Sequence, residues 1–309
     1  MQDIVKLMTS YKNIDLQSIK KNLPIEMLKD VEILENSFSQ QEILEYIFKT
    51  VQECLTKVFD RFLNINDLES FNLTIITRQG GQDAQELSQQ ILKMYLAFLD
   101  RTQINYKIID IKKAETGIHQ AIISVFNTQL FPYLIYETGI HRVERYSPYK
   151  RQKKIYTSSI EVNVTPTFSK PDIRLSTKLI KMKPIKASGP GGQYVNKAMT
   201  GVLINYNGIN IRVSTYRSFE QNKKQALQIL KSKILFNQLL NSKKKSSNLY
   251  KLYSTNQIIR TYDLVFNYVK LHRQKIKIKK ATAILKGEII PILMYNILYA
   301  TRQTCNKTI

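Results

Sequence analysis

The sequence predicts an α+β, multidomain protein, and three observations carry that prediction. From Gln41 to Phe62 apolar side chains recur at three- and four-residue steps, the period of a helix with one buried face. Phe71–Thr77 alternates like a strand and runs through Gly80-Gly81 into a second helical stretch. Further on, Val202–Tyr206 and Ile209–Val213 flank Asn207-Gly208, a strong short-range hairpin signal. A composition shift near Asp172 and the lysine-serine run 243–247 complete the division. The parts are a helical segment over 1–66, a mixed α/β unit over 67–171, a smaller α+β unit over 172–247, and a segment over 248–309 expected to pack back on the mixed unit. A length of 309 residues accommodates several such units, and an apolar share of 43% supplies their cores.

Taken in order, the first segment offers packing without chemistry. Ser39 and Glu42 have the spacing of a capping box at the start of its main helix. In the second part, the turn Gln79–Ala84 feeds a helix expected from Gln85 to Leu99, with Asp83 near the positive end of the helix dipole. Strands are expected at Tyr106–Ile111, Ala121–Phe126 and Ile160–Val164. Before the last of these come Glu137–Tyr149, the basic loop Lys150–Lys154, and Tyr156-Thr157-Ser158-Ser159. Aromatics, hydroxyls and cations in that mixture suit single-stranded RNA, whose bases stack on rings and whose phosphates attract lysines. A solvated basic hairpin has the same composition.

In the third part, Leu179–Ile185 reads as a strand leading into a glycine-rich loop. A helix opens after Arg217-Ser218, with Asn222, Lys223 and Lys224 in its first turns. In the last part, Lys275–Lys280 alternates basic and apolar residues, and an apolar helix is expected to end near Leu298.

The charge is lopsided: 47 Lys+Arg against 24 Asp+Glu leave +23, a surface suited to a polyanion. The abundance of Ile, Lys and Asn without any Trp also bears the mark of an AT-rich genome, which accounts for part of the lysine excess. No apolar run is long enough to span a bilayer, and Met1-Gln2-Asp3-Ile4-Val5-Lys6 lacks a signal-peptide core. A membrane partner is therefore not expected, and a cytoplasmic location, or its organelle-derived equivalent, is. Cys54 and Cys305 lie far apart and His119, His141 and His272 are scattered, so neither a disulfide framework nor a metal site is expected. No nucleotide or cofactor motif stands out.

The glycine-rich loop is Ala187-Ser188-Gly189-Pro190-Gly191-Gly192-Gln193-Tyr194-Val195-Asn196-Lys197. Its glycines permit close backbone approach to another molecule. It holds no carboxylate, thiol or histidine, so ordinary acid–base or nucleophilic chemistry has no agent there. Gly80-Gly81-Gln82 repeats the tripeptide without this context.

The longer string resembles the catalytic loop of class I peptide chain release factors. Glu137-Thr138-Gly139-Ile140-His141-Arg142-Val143 matches that family's E-x-G-x-H-R-V run, and Ser147-Pro148-Tyr149 falls where its release factor 2 branch carries Ser-Pro-Phe. Arg217, Ser218 and Asn222 match an R-S-x-x-x-N segment, and Asn256–Tyr262 resembles S-Q-I-R-S-Y with one residue inserted. The resemblance covers roughly residues 70 to 290 in the family's order.

It implies translation termination. Ser147, Pro148, Tyr149, Tyr156 and Thr157, with Asp83 beside them, would read UAA and UGA in the ribosomal A site. Gly191, Gly192 and Gln193 would promote hydrolysis of the peptidyl-tRNA ester, with Gln193 a candidate for N5-methylation by a glutamine methyltransferase. Arg142, Arg145, Lys197, Arg217, Asn222 and Lys223 would contact RNA. The implied partners are the ribosome, the messenger's stop codon and peptidyl-tRNA; the implied state is a monomer without cofactor or metal. Three positions depart from the family: Tyr149 for Phe, Tyr156 for His and Asp83 for Glu. Two other readings compete. A codon-independent rescue hydrolase shares the catalytic loop but usually lacks a decoding domain. A non-catalytic RNA-binding protein explains the charge but not the context of Gly191-Gly192-Gln193.

Overall fold

A computed structural model describes residues 16–20, 23–35, 37–63, 67–151, 154–169, 171, 173, 175–176, 179–186, 199–242 and 257–305. Among them eleven strands form two sheets. They are β1 (Leu68–Thr77), β2 (Tyr106–Lys113), β3 (Ile118–Val125), β4 (Gly139–Tyr146), β5 (Ile155–Phe168), β6 (Lys181–Ile185), β7 (Gly201–Tyr206), β8 (Ile209–Val213), β9 (Ile258–Asp263), β10 (Tyr268–Leu271) and β11 (Ile276–Lys279). The large sheet runs β11-β10-β9-β4-β5-β1-β3-β2, antiparallel throughout except for β4 beside β9. The small sheet runs β6-β7-β8.

Alternation along β1, β4 and β5 sends Leu73, Ile75, Val143, Val162 and Val164 to one face, where they meet Ile91, Tyr95 and Phe98 of the Gly81–Arg101 helix. The Gln40–Phe62 helix extends this core with Ile43, Ile47, Val51 and Leu55 and touches the Ile290–Cys305 helix. Its start is the expected capping box: Ser39 N donates to the Glu42 carboxylate at 2.8 Å, and Glu42 N to Ser39 Oγ at 3.4 Å.

A second core lies on the opposite face of the large sheet. There Val202, Ile204, Ile211 and Val213 of the small sheet pack with Ala226 and Leu230 of the Phe219–Ser242 helix, joined by Ile109 and Ile122 from β2 and β3. Beside this seam buried Asp110 accepts from Arg212 Nε at 3.1 Å and Ser214 Oγ at 2.6 Å. No helix of the described residues is long and apolar enough to cross a membrane.

Several elements outrun their sequence-based bounds: β1 begins at Leu68, β2 ends at Lys113, β3 begins at Ile118 and the last helix runs to Cys305. The helix after the Gly80 turn begins at Gly81 rather than Gln85, and β5 continues through Pro166 to Phe168. Pairing with β4 reaches only Val162, so Pro166 has β1 on one side alone and its missing N–H breaks no ladder there.

The match to E-x-G-x-H and the Gln257–Tyr262 segment meet in a buried polar cluster. Glu137 (0% exposed) forms an ion pair with Arg260 (1% exposed). The same carboxylate accepts from Tyr95 Oη at 2.8 Å and Asn296 Nδ2 at 2.7 Å. Arg260 also donates to Tyr262 Oη at 3.2 Å. Gly139, two residues on, has φ +146°, and a Cβ there would sit 2.5 Å from Ile259 Cγ2 and 2.9 Å from Gln257 O. Only glycine lets β9 approach β4 this closely.

His141 completes the cluster, with Nε2 3.0 Å from the Glu137 carbonyl and Nδ1 3.3 Å from Tyr262 Oη. A carbonyl only accepts, so Nε2 carries the proton and Nδ1 accepts. Burial first, and the Arg260 and Arg273 guanidiniums next, hold this imidazole well below its ordinary value of 6.5, outweighing the hydrogen bond to Glu137. The unfolded chain therefore binds a proton that the folded chain refuses. Stability from this group is complete above pH 6.5 and declines as pH falls below it, by up to about 1.4 kcal/mol per unit. Denaturant unfolding between pH 7 and 5 is expected to show that slope, and His141→Gln to flatten it, leaving the smaller share of His272, whose value is also lowered.

Candidate nucleic-acid interface

The chemistry-bearing loops of the large sheet gather at one end. β4 and β5 form an antiparallel hairpin whose last pair is Tyr146 with Ile155, and its tip begins at Ser147. The Gly81–Arg101 helix starts beside it, because β1 delivers the Gly80 turn next to Ser159: Arg78 N donates to Ser159 O at 3.0 Å and Ser159 N to Gln79 O at 2.8 Å.

Arg145 is the hub. Its guanidinium, with 14% of the side chain exposed, donates to Asp83 at 2.7 and 3.0 Å and to Glu86 at 2.6 Å. Asp83 accepts a further bond from Ser158 Oγ at 2.8 Å. Arg145 holds the Glu86 carboxyl below its ordinary value, against the opposing effect of burial. Tyr149 Oη donates to Glu86 at 3.2 Å. The hydroxyl by which Tyr149 departs from the family's phenylalanine thus adds a bond between the loop and the helix. Ser147 is buried and accepts from Tyr149 N at 3.3 Å, closing a small turn within the loop. Pro148, Tyr149 and Thr157 are exposed and Tyr156 half-buried. Tyr156 pairs with Arg145 and Thr157 with Glu144, so the two side chains lie on opposite faces of the sheet.

These placements revise several expectations. The Asp83 carboxylate is committed to Arg145 and Ser158, and the Arg145 guanidinium to two carboxylates; both brace the loop instead of facing solvent. Asn222, expected to contact RNA, is fully buried. Its Oδ1 accepts from Tyr216 N, and its Nδ2 donates to the carbonyls of Thr200 and Tyr216, each at 2.8 Å. It is a bracket between backbone segments, with no atom left for a phosphate. Arg142 is half-buried on the sheet face away from Arg145, Arg217 is exposed, and Lys223 is partly exposed with a loose 3.5 Å pairing to Glu220. Gly191, Gly192, Gln193 and Lys197 lie outside the described residues. Glu86 escaped the sequence reading, although its place three residues after Asp83 puts both carboxylates on one helix face.

Gly80 makes the brace possible. At φ +128° a Cβ would stand 2.4 Å from Ser158 Oγ, whereas Gly81, at φ +61°, has nothing within 4 Å. Gly81→Ala is expected to cost only the left-handed backbone strain of about 1 kcal/mol. Gly80→Ala adds the clash that parts Ser158 from Asp83, and its loss should reach the upper end of about 1–3 kcal/mol. Urea unfolding of the two variants checks the order.

Comparison with known proteins accords with this architecture. The family model described as PCRF domain matches residues 1–162, and that described as RF-1 domain matches residues 169–273. Peptide chain release factor 2 of Thermosipho africanus is 32% identical over 266 residues, covering 82% of this chain and 72% of the relative. Peptide chain release factor 1 of Phytoplasma australiense is 27% identical over 299 residues, covering 94% and 84%. The solved structure of RF2 of Thermus thermophilus superposes with a TM-score of 0.64 at 25% identity, over 91% of this chain and 83% of that one. With one family model spanning more than half of its length and relatives matched across both of its sheets, the chain belongs to the peptide chain release factor family.

Proposed function

We propose that this protein terminates translation by recognising a stop codon in the ribosomal A site and promoting hydrolysis of the peptidyl-tRNA ester. Family membership supports the reaction, and the observation that carries the codon-reading half is the braced hairpin tip. Asp83, Glu86, Arg145 and Tyr149 join loop to helix, so the exposed Pro148 and Tyr149 are presented from a rigid support. Preorganisation of this kind lowers the ordering cost of binding a flexible single strand.

In this reading Ser147, Pro148, Tyr149, Tyr156 and Thr157 read UAA and UGA, and Asp83 acts by positioning. Arg142, Arg217, Lys197 and Lys223 meet RNA phosphates. Gly191 and Gly192 shape the catalytic loop, and the Gln193 main-chain N–H stabilises charge developing on the reacting oxygens. A glutamine methyltransferase modifies the Gln193 side chain. The protein works as a cytoplasmic monomer, divided functionally at residues 66, 171 and 247.

The test is peptide release from purified ribosomes carrying peptidyl-tRNA, with UAA, UGA, UAG or a sense codon in the A site. Release on UAA and UGA alone is the expected result. Release on every codon would make the protein a rescue hydrolase. Binding without release would make it a non-catalytic ribosome-binding protein.

A further inference from the structure

Phe266 is 71% exposed, the most exposed large apolar side chain among the described residues. Its position follows from the parallel pairing of β4 and β9. Asp263 lies opposite Glu144, and Leu264 N donates to Glu144 O at 2.9 Å. The turn that follows β9 therefore emerges at the same end of the sheet as Tyr146 and Ser147, one strand spacing away, about 4.8 Å.

This turn is held firmly. Asp263 Oδ1 accepts from Val265 N at 3.0 Å and Phe266 N at 2.9 Å. Asn267, at φ +53°, accepts from Lys280 N at 2.8 Å through its carbonyl and from Thr282 N at 3.1 Å through its side chain. A ring kept in water by so many bonds is displayed rather than stranded.

Its surroundings are cationic. Lys279 and Lys280 are exposed on the segment bonded to Asn267. On the outer face of the sheet Lys270 stands directly opposite Lys277, both exposed, and Arg142 flanks the same row across Thr261. Like charges paired across strands destabilise a sheet unless an anion answers them. The acidic groups nearby are Glu144 and Asp263, and Asp263 already serves the turn amides.

An aromatic ring fixed beside lysines is the arrangement that binds unpaired nucleotides by stacking and phosphate contact. We infer that Phe266 stacks on an unpaired messenger base flanking the stop codon, with Lys279 and Lys280 on the adjoining phosphates. The inference rests on the proposed function, since adjacency to the codon-reading tip is what selects the messenger as the source of the base.

Release kcat/KM on stop-programmed ribosomes is compared for the unmodified protein, Phe266→Ala, Phe266→Leu and Phe266→Trp. Their unfolding midpoints should agree, because the ring is exposed. Loss of stacking predicts about a tenfold fall for Ala and Leu alike and retention for Trp. Messengers with an abasic nucleotide immediately after the codon should bring the unmodified protein down to the Phe266→Ala level and leave that variant unchanged. Full activity in Phe266→Leu would overturn stacking. A ring effect that persists on the abasic messengers would transfer the contact to ribosomal RNA or protein and overturn the messenger assignment. A second readout does not depend on catalysis: messenger 4-thiouridine beside the codon should photo-crosslink to the unmodified protein on the ribosome, and much less to Phe266→Ala. No crosslink overturns the inference even if release is normal. Failure of the unmodified protein to release peptide on any stop codon strikes the proposed function instead.

Discussion

Glu137→Ala is expected to lower the unfolding free energy by about 3–5 kcal/mol, the usual cost of stranding one member of a buried ion pair. Arg260, 1% exposed, would keep its charge with no carboxylate to meet it. Tyr95 Oη and Asn296 Nδ2 would lose their acceptor in the same step. Arg260→Met should cost a similar amount for the mirror reason. The double replacement Glu137→Met with Arg260→Met removes both charges, and it should recover a large part of the loss, because well-packed apolar substitutes for buried pairs are often neutral. Urea unfolding of the four proteins forms a double-mutant cycle. Additive losses would show that the pair is not coupled and that this account of the motif is wrong.

Gly192→Ala is expected to reduce peptide release about 100- to 1,000-fold, the range seen when one preorganised donor to a developing oxyanion is lost. In the proposed mechanism the donor is the Gln193 main-chain N–H, whose aim depends on the backbone angles that Gly191 and Gly192 permit. A Cβ at 192 disturbs that aim, whereas Gln193→Ala leaves the N–H in place and should cost less. Gln193→Pro deletes the donor outright and should match or exceed Gly192→Ala. Single-turnover release at saturating factor separates these effects from weakened binding. Equal losses for Gly192→Ala and Gln193→Ala would move the catalytic role from the backbone to the side chain.

Legibility in the sequence followed the range of the interaction. The Ser39–Glu42 capping box, the turn at Gly80-Gly81 and the hairpin at Asn207-Gly208 are local, and each forms where its residue types require it. The order of strands is not local. Nothing near Glu137 reveals that its charge is answered by Arg260, 123 residues later, nor that the intervening small sheet packs on the other face of the large one. The same limit explains the residues whose roles changed. Asn222, Arg145 and Asp83 look alike in one dimension, as polar groups near glycine-rich or basic stretches. Only burial separates the bracket at Asn222 and the brace at Asp83 and Arg145 from the exposed Pro148. The resemblance located these motifs; the structure supplies what each side chain touches.

The single parallel pair in the large sheet also bears on synthesis. β4 is made well before its neighbour β9, and the guanidinium for Glu137 comes 123 residues after the carboxylate. Until β9 leaves the ribosome, β4 has an open edge and the cluster around Glu137 holds an unanswered carboxylate. Unpaired edges and exposed apolar faces are what nascent chains aggregate through. A chain ending at Ser242 would contain the hairpin tip yet lack the strands that close the sheet behind it. In this fold the end of the sheet that carries the hairpin tip is closed only after β9 has been made, long after the tip itself.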